Sequence, residues 1–118
     1  LAITATRTIT LVYSGGVVGT EVISAASNTA SPGQIQIFTF TGAGNNTVTV
    51  PTGGTTPTAA TIVPPAGNTQ ALILKGVNGD TGVTIHKTDP TTIALDSSVV
   101  NFVLNVAGTV TGLQIFWT

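Results

Sequence analysis

The chain holds one imidazole, His86, so any nucleophilic or general-base chemistry has to be built around it. Thr88 and Asp89 follow closely, and hydroxyl, imidazole and carboxylate are the residue types of a nucleophilic triad. A strand end running into the Asp89-Pro90 turn explains the same three residues without catalysis, and His86 is read as a surface or structural histidine. The acids are Glu21, Asp80, Asp89 and Asp96, and no two have the close spacing of a glycosidase pair or a metal cluster. Catalytic, cofactor-binding and metal-ligating residues are all assigned as none, and the chain is not expected to be an enzyme.

Three other groups of residues invite binding. The run Gly76 to Gly82 (GVNGDTG) has the residue types that cradle an anion or offer oxygens to calcium, but it holds one carboxylate and lacks the context of a phosphate loop. It reads as a tight turn using glycine at positive φ. Thr4, Thr6, Thr8 and Thr10 place hydroxyls on one strand face, where a sugar or ice can meet them; with no repeat extending the array, an ordinary exposed strand face is favoured. Tyr13 and Trp117 are candidate sugar platforms, with core positions favoured, and Asn45-Asn46-Thr47 fits a glycosylation sequon.

Charge bounds the partners. Three basic and four acidic residues make up 6% of the 118 residues, where about a quarter is usual. The surface must then be built from Thr, Ser, Asn, Gln and glycine backbone, which is easily desolvated, and charge-depleted surface is what interface cores are made of. Arg7, Lys75 and Lys87 are too few and too scattered to neutralise a run of phosphates, so nucleic acid is not an expected partner. No stretch nears the roughly 18 consecutive apolar residues of a membrane-spanning helix. Cysteine is absent, so burial and backbone pairing alone must hold the fold. Leu1 is not a residue after which an initiator methionine is normally trimmed, and a removed segment upstream is expected.

The elements that must position these residues are strands. Leu1, Ile3, Ala5, Ile9, Leu11 and Tyr13 alternate with threonines, Ser14-Gly15-Gly16 turns the chain, and residues 17–26 resume a strand before turn formers at Asn28 to Gly33. Residues 34–41 (QIQIFTFT) carry apolar side chains on both faces and read as a central strand, bulged or buried on both sides. Gly42 to Asn46 is a hairpin signal leading to a strand at Thr47 to Val50. Residues 51–68, with Pro51, Pro57, Pro64 and Pro65, are expected to cross between sheets, with an extended piece at Ala60 to Val63. Further strands are expected at 71–75, 83–86, 92–95, 100–106 and 113–117. The fold class is therefore all-β, a single domain over residues 1–118 forming an antiparallel β-sandwich or jelly roll of about eight short strands.

The stretch from Leu72 to Thr118, with its KGVNGDTGV turn, TDPTTIAL turn and strand, and closing LQIFWT, resembles the C-terminal part of small virion structural proteins of tailed bacteriophages. The resemblance implies a subunit of a capsid surface, tail or fibre, located in the virion, with no catalytic residues to carry over. The expected function is binding to other virion structural proteins, the major capsid protein and copies of itself among them, as a capsid decoration or cement protein. The alternative is a carbohydrate-binding or receptor-binding module reading glycans through aromatics and Thr/Asn hydroxyls. A third reading is an adhesin-like domain completed by a neighbour's strand.

Overall fold

A computed structural model describes residues 3–13, 19–30, 35–52 and 56–118, the first two segments through their backbone pairing. All regular structure among them is β, as the Thr-, Val- and Ile-rich alternation requires. No described helix is long and apolar enough to cross a membrane.

Strand β1 (Ile3–Tyr13) pairs antiparallel with β2 (Gly19–Ala30), from Ile3 opposite Ala30 to Tyr13 opposite Gly19, and the two form a sheet of their own. The Ser14-Gly15-Gly16 turn lies outside the described residues. β2 runs on through Asn28, Thr29 and Ala30, where a turn was expected, because β1 is long enough to offer them Ala5, Thr4 and Ile3 as partners. A register shift beyond Ile9 leaves one extra residue on β2, the signature of a bulge.

The other eight strands make a sandwich of two four-stranded antiparallel sheets. One has the order β3 (Ile35–Phe40), β10 (Val110–Trp117), β5 (Ala59–Val63), β8 (Thr91–Ala94), and the other β4 (Gly44–Thr49), β9 (Asn101–Val106), β6 (Leu72–Lys75), β7 (Val83–Ile85). Nested pairings, β3 with β10, β4 with β9, β5 with β8 and β6 with β7, are those of one long ribbon rolled up on itself, so the sandwich is a jelly roll. Every connection from β3 to β10 except β6 to β7 crosses between the sheets.

That topology corrects two expectations. Gly42 to Asn46 does not close a hairpin: β3 and β4 lie in different sheets, and the glycine-rich link turns the chain across the sandwich. Turn chemistry specifies a reversal of direction, not the pairing of the flanking strands. β3 is not central but an edge strand, without a bulge of its own, and its two-sided apolar pattern comes from exposed Ile35 and Ile37 outside and Phe38 and Phe40 inside. The expected crossing at residues 51–68 is present, with β5 as its extended piece.

Side chains from both inner faces interlock in one core of Phe40, Val48, Ile62, Leu72, Phe102, Leu104, Val106, Leu113, Ile115 and Trp117. Trp117 stands opposite Ala60, whose small side chain leaves room for the indole, and Ala60 in turn stands opposite Ile93 on β8. The last strand keeps both ends of its pattern buried by a device: Gly112, at φ +82°, is an extra residue on β10 between Thr111 and Leu113. The bulge shifts the parity of the strand, so Val110 and Leu113, three apart, both point inward.

Candidate functional site

The residues that suggested chemistry are occupied with holding turns. His86 follows β7, and its Nδ1 accepts the backbone N–H groups of Asp89 (2.8 Å) and Thr88 (3.2 Å). Its Nδ1 is thus taken up by the turn that follows it, and the Asp89 carboxylate lies 3.8 Å away. Both side chains stand mostly in solvent. The Asp80 carboxylate accepts the N–H groups of Gly76 (3.1 Å) and Val77 (3.0 Å), closing the GVNGDTG loop on itself. Asp96 accepts the hydroxyl (2.6 Å) and the N–H (3.0 Å) of Ser98 in the corner between β8 and β9. Those two hydrogen bonds, the hydroxyl's first, hold its carboxyl below the ordinary carboxylate value.

The structure keeps these groups apart along the chain's corners and, among the described residues, gathers no three metal-ligating side chains. The loop does use glycine at positive φ as expected, at Gly82 (+75°). It also folds back over the outer face of its sheet, where the Asn78 carbonyl accepts the Asn45 amide (3.4 Å) and the Lys75 ammonium (3.5 Å). Beneath it lies an open depression of about 210 Å³ between Val77, Thr47, Asn101 and Val103. Asn45 of the sequon is tied further by the Asn105 amide (2.8 Å). Among the candidate sugar platforms, Trp117 is 1% exposed with its Nε1–H donating to Gln36 (3.1 Å), which places it in the core. On the threonine face of β1, Thr8 is exposed, and the side chains of Thr4, Thr6, Thr10 and Tyr13 lie outside the described ones.

The two outer faces differ in kind. Outside β4, β9, β6 and β7 the face is mixed, with the amides, hydroxyl and ammonium of Asn45, Asn105, Thr47 and Lys75 brought together by register beside Ile73 and Val103. Outside β3, β10, β5 and β8 it is uncharged: no strand of that sheet contains a charged residue. One row across it reads Ile35, Phe116, Thr61, Thr92 and the next Ile37, Gln114, Val63. Ile35 and Ile37 are 58% and 68% exposed, and Phe116 and Val63 are half-buried beside them. Within the face the only hydrogen bond between side chains, among the described residues, is Thr61 to Thr92 at 2.8 Å.

This face is the candidate site, and residue types alone did not single it out. Its signal was the segment QIQIFTF, whose apolar residues on both sides were attributed to double burial. A contiguous exposed apolar surface bordered by hydroxyls is what a protein contact requires. Comparison with family models, with curated proteins and with solved structures gives no match.

Proposed function

We propose that the chain is a structural subunit of a virion, a capsid decoration or cement protein that seats its uncharged sheet face against neighbouring subunits and stabilises their assembly. The observation that carries this reading is the β3-β10-β5-β8 face itself, free of charge in every strand and led by two isoleucines more than half exposed. Desolvating such a face costs little, because no ion has to be stripped of water. Repetition over a lattice then multiplies modest single contacts into firm attachment. Jelly rolls serve capsids and lectins alike, so the architecture does not choose between them. The face favours the first: its most exposed side chains are the aliphatic Ile35 and Ile37, while its aromatic, Phe116, is half-buried and Trp117 lies in the core.

The test is to band particles of the virus or prophage encoding the chain on a density gradient and quantify their proteins by mass spectrometry. The chain is expected in fixed ratio to the major capsid protein, and its deletion is expected to lower the temperature at which particles release their genome. Absence from purified particles, or capture of the chain by a glycan array, overturns the reading.

A further inference from the structure

The sandwich has four sheet edges, β3, β8, β4 and β7, and an unpaired edge is a template for another strand unless the sequence blunts it. Two of them are blunted by shortness and charge: β7 is three residues long and runs into His86 and Lys87, and β8 is four residues long between Asp89-Pro90 and Asp96. β4 is as long as β3 and equally uncharged, but its outward residues Asn45, Thr47 and Thr49 are polar and offer no apolar row to a partner. β3 is six residues, Ile-Gln-Ile-Phe-Thr-Phe, with no proline, glycine or charge, and its outward residues Ile35 and Ile37 are the exposed leading edge of the uncharged face.

We propose that β3 is a homodimer edge: two copies of the chain pair their β3 strands antiparallel about a twofold axis, joining the β3-β10-β5-β8 sheets into one continuous sheet of eight strands. The unsatisfied groups are backbone N–H and C=O, so the occupant has to be a strand, and a second β3 fits the symmetry. A twofold perpendicular to the sheet preserves its faces, and directly opposed residues share a face, so one residue must oppose itself. Centring on Ile37 sets Ile37 against its own copy and Ile35 against Thr39, which covers the most exposed aliphatic of the edge with another. With a net charge of −1 and no charged residue on either strand, nothing repels the approach. The proposal rests on reading this sheet as an interaction surface and names what its β3 edge takes, which leaves the enlarged uncharged face free for other subunits.

Because the chain has no cysteine, an introduced thiol is the only one it contains. Directly opposed Cα atoms in an antiparallel pair lie about 4.5 to 5.5 Å apart, within the range a disulfide spans. Full-length Ile37→Cys is therefore expected to form a disulfide-linked dimer under mild oxidation, while Thr39→Cys, whose two copies sit about four residues out of register, stays monomeric. Light scattering after size exclusion is expected to give twice the chain mass for the unaltered protein. For Ile37→Lys, which opposes like charges on the dyad, it is expected to give the mass of one chain that still melts cooperatively, at a temperature lowered by the lost association and independent of protein concentration. A monomeric unaltered chain, an Ile37→Lys variant that keeps the double mass, or an Ile37→Cys chain that does not crosslink overturns the proposal. Each leaves the particle assay free to succeed, so the two readings fail separately.

Discussion

The indole of Trp117 joins the two sheets. It tilts at 50° against Phe102 across the sandwich, with ring centroids 6.0 Å apart, and its N–H finds Gln36 on the neighbouring edge strand. Backbone bonds from Thr118 to Ala59 (3.0 Å) and from Ala59 back to Thr118 (3.1 Å) hold the end of its strand. Trp117→Ala is expected to cost about 3 to 5 kcal/mol, a large share of the roughly 5 to 15 kcal/mol that keeps a small domain folded. A denaturant melt measures it, and a loss below 1 kcal/mol removes Trp117 from the core. His86→Ala deletes only an exposed acceptor of two turn N–H groups that water can replace, so its expected cost is at the low end of about 0.5 to 1.5 kcal/mol. If a catalytic turnover is ever found and a folded His86→Ala abolishes it, the non-enzymatic reading falls.

Among the elements, two glycines separate conformational strain from crowding. Gly112 at the β10 bulge and Gly82 after the Asp80 loop both have positive φ, but nothing lies within 4 Å of where a Gly112 Cβ would sit. A Cβ on Gly82 would stand 2.6 Å from the Leu74 carbonyl oxygen and 2.7 Å from the Ile73 side chain. Gly112→Ala is expected to cost the left-handed penalty of about 1 to 2 kcal/mol, and Gly82→Ala clearly more, because a β6 backbone atom has to move as well. Equal melting temperatures for the two variants contradict this. Period-two alternation made the strands legible in the sequence, and proline placement revealed the crossing before β5. Neither states which strands pair: GAGNN turns the chain whether it stays in a sheet or leaves it, and QIQIFTF looks the same at an edge as at the centre. The parity change at Gly112 was hidden for a related reason, since a bulge makes Val110 and Leu113 look like residues of opposite faces. The uncharged face was legible only as a composition; register was needed to gather Ile35, Ile37, Phe116 and Val63.

At the scale of the whole molecule, scarcity of charge predicts how stability and association answer to the solvent. Asp80, Asp89 and Asp96 sit in corners rather than in the core, so acid reaches turn contacts at those sites before packing. The Asp96 carboxyl is held low, and the sign follows from its hydrogen bonds with Ser98, which favour the ionised form in the folded state. A carboxyl lowered in the folded state contributes stability that is present above its unfolded value, near the ordinary 3.8, and lost as pH falls from there through the lowered folded value. The Asp96 contribution to the melting temperature is therefore expected to be level from neutrality down to about pH 5 and to decline only as pH falls through the ordinary carboxylate value and below it. Asp96→Asn and Ser98→Ala should each lower the neutral plateau slightly and flatten that decline, since each removes the preference for the ionised carboxylate. With a net charge of −1 and no charged residue in β3, association of two copies through the β3 edge should also be nearly indifferent to salt between about 0.05 and 0.5 M, where exposed ion pairs would be screened away. Thermal melts across pH for the three proteins, with sedimentation of the unaltered chain across salt, test both halves. An Asp96→Asn variant that keeps the full acid decline assigns it to another group, and dissociation of the dimer by salt means that charges, not the β3 edge, hold it.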